Sequence, residues 1–178
     1  MLMGADDIQE SWFADIFGLH FCSVSLGDFP MKEAHRQAIQ YAKNAGALVS
    51  FDPNLRFALW EDIEELRRVV REFAPMAHVL KVSDEELEFI TGHTDIREAL
   101  PMLQVGNTRL VIYTKGAEGA ECYTQENCAF VPSEKVKAVD TTGAGDGFIG
   151  SFLYCMSADG LTAAQLDSLT REQMERYL

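Results

Sequence analysis

The chain has 178 residues, 28 of them acidic and 15 basic, so its formal charge is −13 at pH 7. With 47% hydrophobic and 24% charged residues it has the composition of a folded protein, long enough for one α/β domain with a buried core. The acidic balance argues against a nucleic-acid or anionic-membrane surface, which needs clustered Lys and Arg, but it leaves room for a locally positive pocket that takes a small phosphate ligand.

Apolar runs alternate with amphipathic stretches along the chain. A short strand is expected over residues 18–24, then a helix over 30–44, opened by Pro30 and closed by Gly46. Residues 47–51 read as a buried strand that ends at Asp52-Pro53-Asn54. A helix follows over 61–73, with Ile63, Leu66, Val69, Val70 and Phe73 on one face. Next come a strand over 78–82, a helix over 83–91 stopped by Gly92, a helix over 96–104 and a β-branched strand over 109–114. Beyond Gly116 and Gly119, short strands are expected at 120–124, 129–131 and 136–139. A helix then runs from Gly143 through Tyr154, and one or two helical segments fill 161–178. This alternation predicts a single α/β domain over 1–178, built on a mainly parallel sheet.

Nothing in the first residues, Met1-Leu2-Met3-Gly4-Ala5-Asp6-Asp7, reads as a signal peptide, and no window reaches the ~18 to 20 apolar residues of a membrane span. The expected location is the cytoplasm. Cys22, Cys122, Cys128 and Cys155 form no metal-binding spacing and are expected as reduced thiols, with Cys122 and Cys128 part-buried near one another in a hairpin. The four histidines, His20, His35, His78 and His93, show no ligand spacing either and receive no role.

The segment richest in chemistry is Asp140-Thr141-Thr142-Gly143-Ala144-Gly145-Asp146-Gly147-Phe148-Ile149-Gly150. Small residues at 143–145 let backbone N–H groups converge where a helix begins, which makes an anion site. Asp146 falls in the first turn, at the edge of that site. A carboxylate there repels phosphate, so binding alone does not justify it, whereas a general base for a hydroxyl attacking a phosphoryl group does. Gly145, Gly147 and Gly150 also satisfy G-x-G-x-x-G, but no strand with a terminal acidic residue follows, as a dinucleotide-binding unit requires.

Asp140 to Gly150 resembles the signature of the ribokinase-type (PfkB) carbohydrate kinases. Asp52-Pro53-Asn54-Leu55-Arg56 with Leu59-Trp60 resembles the fructokinase branch. Lys81-Val82-Ser83-Asp84-Glu85-Glu86-Leu87 and Thr114-Lys115-Gly116-Ala117-Glu118-Gly119 resemble two further family segments, in the same order. The resemblance implies a three-layer ribokinase-like fold with helices on both faces of the sheet, and ATP-dependent phosphorylation of a sugar primary hydroxyl, fructose first. A 2-keto-3-deoxygluconate kinase and a non-catalytic nucleotide-binding module are its rivals.

Carried over residue by residue, the resemblance implies that Asp146 is the base and that Gly143, Ala144 and Gly145 form the anion hole. Asp140 and Thr142 match positions that hold a monovalent cation such as K⁺, and Glu86 matches the acidic residue that organises Mg²⁺ through water. Ser83 stands where the family often has Asn, and Ser83 with Glu86 is equally a helix capping box. Thr114, Gly116 and Gly119 match the ATP-side loop; on residues alone the glycines are a turn. Arg56, and more weakly Lys81, are placed to neutralise phosphate charge. The family's sugar-gripping strands and lid lie N-terminal to the matched region, and part of its adenine pocket lies C-terminal to it. The chain is therefore expected to be a kinase core truncated on both sides. A sugar, ATP and a second copy in a homodimer are the expected partners, with no nucleic acid or membrane among them.

Overall fold

The computed structural model describes residues 2–137 and 139–178. Six strands form one sheet in the order β1-β2-β3-β4-β5-β6. Strands β1 (Gly18–Cys22), β2 (Leu48–Asp52), β3 (Val79–Ser83) and β4 (Leu110–Thr114) run parallel. Strands β5 (Ala120–Tyr123) and β6 (Cys128–Val131) add an antiparallel hairpin.

Helix α1 (Pro30–Asn44) starts with its proline in the first turn and ends before Gly46, whose φ is +78°. Helix α2 (Ile63–Phe73) is capped by Asp62, which accepts the Glu64 N–H at 2.8 Å, and it buries Leu66, Val69, Val70 and Phe73. In α3 (Asp84–Thr91) the Ser83–Glu86 capping box sets the start and Gly92, at φ +79°, sets the stop. Helix α4 (Ile96–Leu103) is capped by Asp95. These four helices lie on one sheet face, around a core that includes Phe21, Phe51, Val70, Phe73, Leu87 and Val111. Phe21 stacks on Phe51 with ring centroids 4.6 Å apart.

The other face is covered by α5 (Ala144–Ala158), a 3-10 segment (Ala163–Ser168) and α6 (Arg171–Tyr177). Ile149, Phe152, Met156, Leu166 and Met174 meet Leu48, Val79, Leu110 and Ile112 there. Helices on both faces make the three layers that the resemblance implied.

Three local expectations are corrected. The first strand stops at Cys22, because Ser23 turns into a 3-10 segment and its N–H donates to the Pro53 carbonyl at 3.1 Å. Residues 136, 137 and 139 form no strand: Val136 and Val139 are exposed and, among the described residues, pair with none, and Ala138 lies outside the described residues. Cys122 and Cys128 are not a part-buried pair. Cys122 is buried opposite Ala129, and Cys128 is exposed opposite Tyr123. Burial pushes the Cys122 thiol far above its ordinary range. No helix among the described residues is long and apolar enough to cross a membrane.

Candidate active site

Parallel strands β1 to β4 end together, and the first turn of α5 lies over those ends. This is the usual place for a ligand in an open α/β sheet. Gly143, at φ +77°, is the N-cap of α5. The Ala144 N–H donates to the Thr141 carbonyl at 3.0 Å, and the Gly147 N–H to the Gly143 carbonyl at 2.8 Å. Among the described residues, the Gly145 and Asp146 amides between them have no backbone acceptor and remain available to an anion. Of the three residues expected at the anion hole, Gly143 is the N-cap and Ala144 gives its amide to the turn.

Two clefts meet at this turn. The first, about 430 Å³, is lined by Lys81, Thr114, Gly116, Gly119, Ala144 and Gly145, with Val131, Pro132, Phe148 and Leu178 as its apolar part. The second, about 610 Å³, is lined by His20, Cys22, Asn54, Asp146, Gly150 and Leu153, among others. Gly145 faces one cleft and Asp146, the next residue, faces the other. Asp146 Oδ1 accepts a long hydrogen bond from Asn54 Nδ2, at 3.4 Å.

Lys81 comes up from β3 beneath the α5 turn. Its Nζ lies 2.8 Å from Asp52 Oδ2 and 3.4 Å from the position a Cβ on Gly145 would take. Both partners of that ion pair are buried. Burial pushes the Asp52 carboxyl above its ordinary range; Lys81 pulls it back and the charge of Glu86 adds to the push.

Glu86 is buried and held from two sides: Oε1 accepts the Leu55 N–H at 3.1 Å and Oε2 the Ser83 N–H at 2.8 Å. It therefore ties the segment after β2 to the start of α3. Among the described residues no group of three or more His, Cys, Asp and Glu is arranged to hold a metal. Both Glu86 oxygens are thus taken up by backbone amides, and Glu86 lines neither cleft. Asp140 and Thr142 stand exposed in the turn before α5, where the Thr142 N–H donates to Asp140 Oδ1 at 2.8 Å and holds that carboxyl below its ordinary range.

Lys81, Thr114, Gly116, Gly119 and Gly145 are thus gathered in one cleft, with Asp146 at its border. Arg56 is not gathered with them: it is exposed, donates to the Leu55 carbonyl at 3.1 Å and lines neither cleft. His20, which belongs to no motif of the sequence, lies in the cleft of Asp146. Its Nδ1 lies 3.2 Å from Ser50 Oγ, and burial lowers its pKa. Asp52, expected in the turn at Asp52-Pro53-Asn54, does accept the Asn54 N–H and is in addition the buried partner of Lys81. The available signal was a charge in each of two short and largely buried strands, at the end of Leu48–Asp52 and in the middle of Val79–Ser83.

A fructokinase from Vibrio alginolyticus is 41% identical over 139 residues, which is 78% of this chain and 45% of that protein. A fructokinase structure with bound ATP from Xylella fastidiosa superposes with a TM-score of 0.90 at 29% identity, covering 99% of this chain and 56% of that one. The Vibrio cholerae O395 fructokinase, in a form with fructose, ADP and calcium ion bound, superposes with a TM-score of 0.78 at 36% identity, covering 96% and 54%. The chain spans about half the length of the curated relatives it matches. The family model described as pfkB family carbohydrate kinase matches residues 5–166, and the chain therefore belongs to the pfkB family of carbohydrate kinases.

Proposed function

We propose that the protein transfers the γ-phosphoryl group of ATP to a primary hydroxyl of a sugar, fructose being the foremost candidate. One observation carries the reading: Gly145 and Asp146 are consecutive yet face two different clefts. A phosphate held on the amides of the first turn from one side would have a carboxylate at its border and an acceptor cavity beyond. The Xylella fastidiosa neighbour holds ATP and the Vibrio cholerae neighbour fructose and ADP, ligands of the two kinds that this reading requires.

In the nucleotide cleft, Thr114, Gly116 and Gly119 leave backbone close to the ligand, and Val131, Pro132 and Phe148 offer an apolar wall. A cavity of this size suits a small ligand. Mg²⁺ bound with ATP would supply neutralisation of charge on the β- and γ-phosphates. Asp146 takes the proton of the sugar hydroxyl, whose oxygen bonds to the γ-phosphorus as the bond to the β–γ bridging oxygen breaks and ADP leaves. The Gly145 and Asp146 amides and the Lys81 ammonium face the charge that grows on the transferring group. The turn carrying Asp140 and Thr142, just before the N-cap, is where a monovalent cation would sit.

The test is a coupled ADP-release assay with ATP and Mg²⁺, comparing fructose, ribose and 2-keto-3-deoxygluconate as acceptors. Fructose should give the highest kcat/KM. ADP release that does not depend on any sugar would end the reading, and a preference for the keto-acid would move it to the rival acceptor.

A further inference from the structure

Strands β2 and β3 pair in parallel with Ser50 beside Val79, which brings Asp52 and Lys81 level with one another on the face that α5 covers. Asp52 is 1% and Lys81 6% exposed, so both charges have left water. Such a pair costs desolvation that a well-packed apolar pair would not, and stability is a weak reason to keep it. Its geometry suggests another reason. Asp52 Oδ1 accepts the Asn54 N–H at 3.1 Å, which fixes the carboxylate, and Oδ2 faces Lys81 Nζ at 2.8 Å. The ammonium so held stands 3.4 Å from the Cβ position of Gly145 and lines the nucleotide cleft. Asn54, whose φ of +45° marks the tightness of the turn, also reaches Asp146. One short turn thus anchors the lysine on the phosphate side and touches the carboxylate on the acceptor side.

We propose that Asp52 is a positioning residue for phosphoryl transfer, acting through Lys81 by holding its ammonium beneath the first turn of α5. This rests on the kinase reading above. Asp52 itself does not line the cleft; its effect comes from where it puts the lysine. A misplaced charge at the transferring group weakens a stabilisation that matters in the transition state, so the loss belongs in kcat.

The experiment compares Asp52→Asn with the charge-swapped double variant Asp52→Lys, Lys81→Asp in steady-state kinetics, with folding followed by circular dichroism melts. The swap keeps a neutral buried pair but moves the ammonium from β3 to β2. A pair that only holds the two strands together would tolerate it. Positioning predicts that the swapped protein folds and loses turnover by ~10²-fold with the sugar KM little changed. Asp52→Asn, which leaves Lys81 in place but poorly held, should lower kcat by at least ~10-fold, again without raising the sugar KM. Should the swap not fold, the kcat of Asp52→Asn decides alone. Wild-type turnover in either folded variant overturns the proposal while leaving the kinase reading intact. Absence of sugar-dependent ADP release from the unmodified protein is the separate failure of that reading.

Discussion

Asn54 Nδ2 and Asp146 Oδ1 stand 3.4 Å apart across 92 positions of sequence, which links the turn after β2 to the first turn of α5. Both residues line the same cleft. Asp146→Asn removes the proton acceptor while keeping its volume, so turnover should fall by at least ~10²-fold. ATP affinity should hold or rise, because a negative charge leaves the edge of an anion site. Near-normal kcat in steady-state assays of this variant would remove Asp146 from the role of base.

Gly145 has room for ordinary contact only: the nearest atom to an added Cβ is Lys81 Nζ at 3.4 Å. Gly145→Ala should fold and retain part of its activity. The branched side chain of Gly145→Val would crowd the ammonium and the approach of a phosphate, and transfer should drop by more than ~10²-fold with circular dichroism unchanged. Full activity of the valine variant would place the phosphoryl group elsewhere.

The layered fold was readable because its signals are local. The apolar runs of β2, β3 and β4, the Ser83–Glu86 box and the stop at Gly92 each state a boundary within a few residues. Around the strand expected at 136–139, the described residues 136, 137 and 139 are exposed and form none, since β-branched residues favour a strand only where they pack on a sheet. At the site, Asp146 and the glycines were legible as a helix start. The places of Asp52 and His20 were not, because Lys81 meets Asp52 through the register of two strands and His20 shares its cleft with residues of α5 far off in sequence. Arg56 shows the reverse: it is close in sequence to the Asp52 turn but lines neither cleft.

Gly119 has φ +121° and ψ −152°, and a Cβ there would lie 2.2 Å from the Val131 carbonyl oxygen. Gly119→Ala must strain the backbone and push β6 away from the loop, at a cost of at least ~2 kcal/mol. Gly116, at φ +52°, has nothing within 4 Å of its Cβ position, so Gly116→Ala should cost only about 1 kcal/mol. Urea unfolding of the two variants tests the contrast. Equal midpoints would mean that the hairpin does not need the close approach seen at Gly119.

His78 gives the stability a dependence on acid. The Val49 N–H donates to His78 Nδ1 at 3.0 Å, a bond that only an unprotonated Nδ1 can accept. Burial, with Lys43 and Arg109 adding to it, lowers the His78 pKa below 6.5, and burial lowers that of His20 in the same direction. The unfolded chain therefore binds protons at these rings before the folded chain does. Their contribution to stability is fully present above the unfolded value of 6.5 and is lost as pH falls from there toward the folded values. Urea midpoints should be lower at about pH 5.5 than at about pH 7.5. His78→Asn, whose Oδ1 can accept the same N–H without titrating, should narrow the difference. A midpoint that does not change between the two pH values, or a difference that the asparagine leaves untouched, would show that the Val49–His78 bond does not govern this response.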